Sequence, residues 1–333
     1  MLKKGTVEER NEAKRRGEGL DSSTFIMEPR TRHYAVPIVI LVCLLLAAAF
    51  TVYVIRDNHR IKVTKVTVSS DRLPESFDGM KFLILSDIRG TGFGRDNEKL
   101  TDCIGTLEFD AAILIGDFLN ADRDPGSIDP ALSVVAKLVS MEKPVYFVLG
   151  GYDAEKPAAA GSDWELCIEP DEDNYVFRTL TEAGAQYVYP IAELKRGEDR
   201  IFLTGRTYYE KLFDTYGFDQ DKDFSIMVTY RPVDYDVDKR LASRNRYGFK
   251  EVDFDMSLSG HTLAGQYRLP LLKTIYLEGY GLFPQEDVAY GLHYAQGRAN
   301  LITSGLGVDS GFRLFNTPEL VVLELKYKEP AGN

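Results

Sequence analysis

Residues 81–87 read KFLILSD, a short apolar run that ends in a carboxylate, and the same plan occurs twice more along the chain. Residues 111–117 read AAILIGD, and residues 145–153 read VYFVLGGYD. Apolar runs of this length are typical of strands that are buried on both faces. The stretches between them, 97–107 and 128–141, are long enough for crossover helices. The pattern therefore predicts an α/β sheet with parallel strands.

Each of the three runs has an aspartate at or just after the end of its strand, namely Asp87, Asp117 and Asp153. Ligands of such sheets bind at the carboxyl ends of the strands, so this edge is where we expect a metal or phosphate site. A single aspartate of this kind is explained as well by a helix N-cap or a turn. Three in succession favour a shared site.

The rest of the chain beyond residue 60 is rich in strand patterns. Residues 61–68 alternate apolar and polar side chains with a period of two, as a half-buried strand does. Further strands are predicted, separated by Gly and Pro, over 224–229, 254–259, 274–277, 300–304 and 320–326. This punctuation predicts a second, more antiparallel sheet.

An uninterrupted apolar segment, residues 34–55, contains no charged side chain. Its 22 residues, at about 1.5 Å each, are enough to cross a hydrocarbon core of about 30 Å, and they predict one transmembrane helix. The chain then divides into a polar tail over 1–33, expected to be disordered, the anchor over 34–55 and a globular domain over 56–333. Two basic residues precede the anchor within fifteen positions and four follow it, which mildly opposes a cytoplasmic N-terminus.

The formal net charge of −11 is unevenly distributed. Residues 1–34 hold eight basic and six acidic side chains, so the other 32 basic and 45 acidic side chains give residues 56–333 a net charge of −13. An acidic domain is a poor partner for a phosphate backbone, so the sequence predicts no nucleic-acid binding. The three cysteines form no disulfide framework, although their spacing leaves a Cys103–Cys167 bridge open.

Several short motifs, in this order, are similar to those of the calcineurin-like metallophosphoesterases, in particular the membrane-associated bacterial branch of that superfamily. The matching stretches span about residues 63–327 and are 73–74, 85–87, 114–117, 146–150, 258–262, 265–266, 269–270, 304–307 and 313–320. The resemblance implies a four-layer α/β/β/α sandwich of two mixed sheets, preceded here by one transmembrane helix. It also implies two divalent metals that hold a hydroxide for attack on phosphorus, beside a histidine that protonates the leaving group.

The sequence departs from this family at most of the metal-ligand positions. The family's Asp-x-His, Gly-Asn-His-Asp, His-x-Pro and Gly-His-Thr-His read here as Asp87-Ile88-Arg89, Gly150-Gly151-Tyr152-Asp153, Tyr230-Arg231-Pro232 and Gly260-His261-Thr262-Leu263. By this resemblance three of seven ligands remain, which are Asp87, the bridging Asp117 and His261. Divalent ions take four to six donors, so a metal of the Mn, Fe, Zn or Mg class is expected to bind weakly or not at all.

Two arginines, Arg89 and Arg231, stand at or beside positions where the family has a histidine. Arg89 either points inward, where its guanidinium would neutralise Asp87 and Asp117 in place of a metal, or points to solvent beside hydrated acids. If Arg89 and Arg231 converge, they could instead bind a phosphate or a carboxylate. Both are therefore candidate ligand-binding residues.

The candidate catalytic residues are weaker. Tyr152 stands at the family's catalytic histidine position, with Asp153 beside it, but a phenol with a pKa of about 10 matches neutral pH poorly. His293 lies outside the motifs and is a minor candidate for a substitute metal ligand.

Three functions are compatible with these residues. The first is a membrane-anchored homologue, impaired or inactive as a catalyst, that binds an anionic or phosphate-bearing ligand or an unknown protein partner. The second is an active phosphoesterase with a mononuclear or rebuilt metal site, and the third is an interaction module whose cleft is filled. Retention of the acids and His261 argues against the third. The resemblance favours a single-pass protein with its large domain on the outer face of the bacterial cytoplasmic membrane.

Overall fold

A computed structural model describes residues 11–12, 15–16, 35–153, 172–189, 191–205, 216–219, 222–233, 254–308 and 311–329. Two compact units are found, Met1–Phe50 and Thr51–Asn333. The disorder expected over residues 1–33 falls almost entirely outside the described residues. The Cys103–Cys167 pairing also lies outside them, because Cys167 is not described, and Cys103 is a free thiol.

The apolar segment forms one long helix, α1, which covers Ala35–Asn58. This helix is long and apolar enough to cross a membrane. The helix starts one residue later than the predicted segment, at Ala35, and it ends three residues later than that segment, at Asn58. The added residues are polar, so the helix continues beyond the apolar span by about one turn.

Two sheets of six strands each are found in the described part of the chain. The first sheet has the order β1-β16-β2-β3-β4-β5, and the second has the order β14-β15-β9-β8-β7-β6. The first nine strands are β1 (Lys62–Ser70), β2 (Lys81–Ser86), β3 (Ala111–Ile115), β4 (Val145–Val148), β5 (Gln186–Tyr187), β6 (Ile191–Arg196), β7 (Asp199–Gly205), β8 (Phe224–Val228) and β9 (Met256–Ser259). The others are β10 (Arg268–Leu269), β11 (Lys273–Thr274), β12 (Tyr276–Leu277), β13 (Gly281–Leu282), β14 (Gly291–Ala295), β15 (Arg298–Ile302) and β16 (Glu319–Tyr327).

The predicted parallel arrangement of the first apolar runs is confirmed. Strands β2, β3 and β4 are parallel neighbours, with Ser86 opposite Ile115 and Ile115 opposite Val148. The predicted crossover helices are present as α2 (Glu98–Gly105) and α3 (Asp129–Ser140), and a further helix, α4, covers Tyr175–Glu182. Their buried apolar faces pack against the same side of the first sheet. The carboxyl ends of β2 and β3 consequently meet at one edge.

The core between the sheets joins apolar side chains from both of them, including Phe82 and Leu323 from the first and Ile226 and Leu258 from the second. The fold is therefore mixed α/β with two large mixed sheets packed face to face, as the resemblance implies. A small separate apolar cluster of the described residues lies on the second sheet and consists of Ile191, Phe202 and Phe218. A helical layer over that sheet is not among the described residues.

The prediction for the second sheet was wrong in three respects. The single strand predicted over 274–277 is divided between β11 and β12, which belong to neither large sheet. The strand predicted over 320–326 is β16, and it belongs to the first sheet, parallel to β1 and antiparallel to β2. The second sheet is parallel at its centre, from β15 through β9 and β8 to β7, and antiparallel only at its edges, β14 and β6. Gly and Pro between strands mark turns but do not fix strand direction. The fully buried β8 is typical of a parallel strand.

Candidate functional site

The carboxylates Asp87 and Asp117 are brought together by the register of β2 and β3. Asp87 directly follows β2, and Asp117 lies two residues after β3. The Asp87 amide donates a hydrogen bond to the carbonyl of Gly116, 3.2 Å away. Both side chains are 1% exposed. His261 reaches the same place from the end of β9 in the second sheet. The edge predicted from the strand ends is thus a place where charged side chains converge.

The backbone at these positions is unusual. Asp87, Arg89, Asp117 and His261 have φ angles of 51°, 48°, 52° and 66°, in the left-handed region that non-glycine residues seldom adopt. Such conformations cost about 1–3 kcal/mol each and persist only where surrounding contacts enforce them. They turn each side chain toward the shared centre, so the loops are built around the site.

Arg89 is the cation of this centre. Its Nη2 atom lies 3.0 Å from Asp87 Oδ1, 3.0 Å from Asp117 Oδ2 and 3.2 Å from the His261 carbonyl. Its side chain is only 1% exposed. Of the two orientations open to the sequence, the structure has the inward one. Through this one nitrogen Arg89 contacts both acids.

His261 completes the arrangement through both its backbone and its ring. Its amide donates to the two carboxylate oxygens of Asp87, at 3.0 and 2.9 Å, and its Nδ1 lies 3.0 Å from Asp117 Oδ2. The imidazole remains partly exposed, at 23%. It is therefore the group of this cluster that solvent or a ligand can reach.

Asp117 is held in its charged form. Burial alone would raise its pKa, but the hydrogen bond with His261, the charge of Arg89 and the amide of Tyr152 together lower the pKa to about 2. The Tyr152 amide donates to Asp117 Oδ1 across 3.0 Å. A carboxylate with three such neighbours has little capacity left for another partner.

Two glycines allow this close packing. A Cβ on Gly260 would lie 2.4 Å from Asp87 Oδ2, and one on Gly150 would lie 2.1 Å from the Asp117 backbone nitrogen. Any side chain at either position would displace a carboxylate of the centre. Both glycines belong to the motifs that carry the family resemblance.

Asp153 lies beside the centre but turns to the backbone. Its Oδ1 accepts from the amides of Phe118 and Leu119, at 2.8 and 3.1 Å, and its Oδ2 accepts from the amide of Gly150, at 2.7 Å. The residue is 3% exposed. These bonds fasten the loop after β3 to the loop after β4. Its catalytic role stays a prediction, and its visible contacts are those of a loop clasp.

Tyr152 is partly buried and stacks on the cation, with its ring centre 5.1 Å from the guanidinium carbon of Arg89. Burial raises the pKa of Tyr152 further above its ordinary value, although the Arg89 charge opposes this. The phenol is consequently a weaker acid at neutral pH than an exposed tyrosine. Its role as a proton donor stays a prediction.

Arg231 approaches the centre indirectly. Its guanidinium carbon lies 5.6 Å from the centre of the Tyr230 ring, and that ring meets the His261 ring edge-on at 5.4 Å. Arg231 is partly exposed, whereas Tyr230 is buried. The two candidate ligand-binding arginines thus differ, because Arg89 is internal and Arg231 lies further out.

His293 lies on β14, where its Nε2 is 2.6 Å from the carbonyl of Tyr290. Among the described residues, the acids and histidines whose ligand atoms are close enough to share one ion are Asp87, Asp117 and His261, all within 4.8 Å of one another. These are the three residues at the metal-ligand positions that the motifs retain, and the fold brings them close together.

Arg313 is a supporting residue that the sequence analysis missed. It is 1% exposed and donates to the carbonyls of Ser304, Gly305, Gly307 and Asn316. The loop that it holds contacts the centre, because the Gly307 amide donates to the Asp87 carbonyl across 2.7 Å. Its position inside the matching stretch 313–320 was the available signal.

Comparison with known proteins agrees with this geometry, although no family model matches the chain. The chain is 25% identical over 292 residues to an uncharacterized metallophosphoesterase of Bacillus subtilis, YkuE, which covers 81% of this chain and 87% of that protein. Two proteins called transmembrane protein with metallophosphoesterase domain are also similar. The one from Danio rerio is 25% identical over 68% of this chain, and the one from Bos taurus is 28% identical over 65%.

The chain is thus similar in sequence to metallophosphoesterases over most of its length. It spans about half the length of the Danio rerio and Bos taurus relatives, 50% and 47%. By the resemblance of the motifs, the superfamily's two-metal chemistry would fall on the loops after β2, β3, β4, β8 and β9.

A two-metal centre does not fit the residues of this metallophosphoesterase homologue. Metal–oxygen bonds are about 2.0–2.2 Å long, so an ion held by Asp87 Oδ1 and Asp117 Oδ2 would meet the Arg89 nitrogen that contacts the same two oxygens at 3.0 Å. The guanidinium is always charged and would repel it. The partial ligand group is present, but the protein's own cation occupies its centre.

Replacing Arg89 by leucine should destabilise the fold by about 3–5 kcal/mol, because the change leaves two buried carboxylates without their cation. The measurement is urea unfolding of the full chain in detergent micelles. Arg95→Leu, at an exposed position, is the matched control and should change stability by less than about 1 kcal/mol. Equal unfolding free energies of the Arg89 and Arg95 variants would show that the Arg89 ion pairs do not stabilise the fold.

Acid should weaken the protein through Asp117. Because its pKa in the folded state is about 2, below the ordinary value of about 3.9, its contribution is complete above pH 4 and is lost as the pH falls from about 4 to 2. That loss is on the order of 2 kcal/mol and is read from unfolding free energies at stepped pH. Asp117→Asn should flatten this part of the profile. An unchanged slope would refute the assignment to Asp117.

Proposed function

We propose that this chain is a membrane-anchored metallophosphoesterase homologue that binds an anionic, phosphate-bearing ligand and hydrolyses phosphoesters poorly or not at all. The observation that carries the proposal is the position of Arg89. Its Nη2 holds Asp87 and Asp117, the carboxylates that a metal would need, at 3.0 Å each. A covalently attached cation has taken the structural part of the metal's role.

A guanidinium does not supply the chemical part of that role. A bound divalent metal polarises water into a nucleophile and offers open coordination positions. Arg89 stays protonated, so it neither removes a proton from water nor accepts a ligand oxygen as a metal does. Tyr152, at the position of the leaving-group acid, has a raised pKa. The site therefore has neither an activated nucleophile nor a matched proton donor from these residues.

Ligand binding is supported by the groups that remain accessible. The His261 imidazole is partly exposed above the ion-pair centre, and Arg231 lies one aromatic ring further out. Both can donate hydrogen bonds to an oxyanion, and Arg231 brings a full positive charge. We assign the binding role to Arg231 and His261, and we assign the internal, charge-balancing role to Arg89. A protein partner at the same face stays open as a second occupant.

An active mononuclear phosphoesterase is the second candidate. The observation in its favour is that Asp87, Asp117 and His261 keep ligand atoms within 4.8 Å of one another. This function requires Arg89 to leave the centre. The strength of that ion pair therefore decides between the two candidates.

Metal content and turnover test the proposal. The full chain, purified in detergent and dialysed against Mn²⁺, should bind well below one equivalent of metal and should hydrolyse bis(p-nitrophenyl) phosphate no faster than Asp117→Ala does. Arg89→His, which restores the superfamily's Asp-x-His motif, should bind Mn²⁺ at least about tenfold more tightly, because it removes the repelling charge and adds a ligand. Inorganic phosphate should protect the native chain from thermal unfolding, and Arg231→Leu should abolish that protection.

Binding of one or two equivalents of Mn²⁺, together with turnover that Asp117→Ala abolishes, would contradict the binding function. It would instead support an active enzyme with a mononuclear or rebuilt metal site. Arg95→Leu again serves as the charge-loss control, since its side chain lies at an exposed position of the chain. It should leave phosphate protection unchanged.

We also propose that α1 anchors the chain in a bacterial cytoplasmic membrane, with the domain after residue 56 on the outer face. The support is the length and composition of the helix, and the transmembrane names of the relatives from Danio rerio and Bos taurus. Single cysteines in a cysteine-free full chain, at Ser22 and at Val139, should differ in labelling by a membrane-impermeant maleimide in intact cells. Labelling at Val139→Cys alone is expected, and labelling at Ser22→Cys alone would reverse the orientation.

A further inference from the structure

Exposed apolar side chains of the globular domain are concentrated in residues 267–283 and 312–315. Among the described residues outside α1, thirteen large apolar side chains are exposed, and nine of them lie in these two segments. Leu271 is 93% exposed. Contiguous apolar surface of this kind marks an interaction site in soluble domains. We define the apolar rim as Leu271, Leu272, Leu282, Phe283, Phe312 and Phe315.

The two segments form one continuous surface. The hairpins β10–β11 and β12–β13 belong to neither large sheet, and Leu271 and Leu272 form the turn of the first. The Arg268 amide donates to the Leu314 carbonyl across 2.9 Å, and the Tyr267 and Phe312 rings meet at 5.7 Å. The hairpins are thereby fastened to the 312–315 segment.

This surface begins where the apolar part of α1 ends. The Phe315 ring lies 5.5 Å from the ring of Tyr53, which is two residues before the last apolar position of the helix, Ile55. Asn58 pairs with the backbone of Arg313 in both directions, at 2.8 and 2.6 Å. The apolar rim therefore contacts the last two turns of α1.

We propose that the apolar rim is a membrane-docking surface, and that its occupant is the boundary between headgroups and acyl chains of the bilayer crossed by α1. The inference rests on the membrane anchoring proposed above. Leu271 and Leu272 lie at the turn of the first hairpin beside Lys273, and Tyr280 lies at the turn of the second hairpin. Together with Phe283, Phe312 and Phe315, they give the rim the mix of apolar, aromatic and basic side chains that favours this boundary. Continuity with the end of α1 favours lipid over a protein as the occupant.

Docking would also orient the candidate site. The segment from His261 to Leu263 is shared, because the His261 carbonyl accepts from Arg89 and the Leu263 carbonyl accepts from Asn316, next to Phe315. A rim buried in the bilayer would hold the edge of the site toward the headgroups.

Depth-dependent quenching tests the docking surface on the full chain. The single tryptophan, Trp164, is replaced by phenylalanine, and one new tryptophan is placed at Leu271, Phe283, Val139 or Leu45. Each variant is reconstituted in phosphatidylcholine vesicles with brominated acyl chains. Leu45→Trp reports the anchor, and Val139→Trp is the matched exposed control, since it lies near the end of α3, at the sheet edge opposite the site.

Quenching of Leu271→Trp and Phe283→Trp should exceed that of Val139→Trp by about twofold or more, as expected for side chains within the boundary layer. Quenching of Leu45→Trp alone would overturn the docking surface while leaving the anchor in place. No quenching at any position would overturn the anchor and the docking surface together. If Leu271→Trp fails to fold, Phe283→Trp still tests the proposal. If neither rim tryptophan is quenched and the protein self-associates, the occupant of the rim is a second copy of the chain, and the membrane-docking proposal is overturned.

Discussion

Two carboxylates at the ends of adjacent buried strands need a cation, and the contact of Arg89 with Asp87 and Asp117 supplies it. Without a positive charge, two anions in a buried place would repel each other, and one of them would take up a proton. A buried ion pair adds little net stability compared with an apolar core, but losing one partner is costly. The left-handed backbone at these positions and the glycines packed against the acids hold the two carboxylates close together, so a cation is needed between them.

The same contacts give the acids a structural role that does not depend on a metal. Asp87 accepts the amide of His261, Asp117 accepts the amide of Tyr152, and Asp153 accepts three further amides. Each carboxylate therefore satisfies buried backbone groups of the site loops, which would be expensive to leave unpaired. Retained acids are for this reason weak indicators of catalysis here.

The site and the end of α1 are connected through one structural region. Arg313 holds the loop that backs Asp87, and its own backbone pairs with Asn58 at the end of the helix. The end of the helix and the loop behind Asp87 are therefore linked by hydrogen bonds through one residue, Arg313.

Local pattern in the sequence was sufficient for the apolar helix, the strands that lead to Asp87 and Asp117, the crossover helices and the positions of the superfamily motifs. Each of these follows from periodicity or from residue order along a short stretch. Tertiary structure alone decided that β16 joins the first sheet, that the second sheet is parallel at its centre, and that Arg89 points inward. Strand pairing and the direction of a buried side chain are set by contacts between residues far apart in sequence. The sequence could name the acids of the site, but their partner depended on the packing of loops from two different sheets.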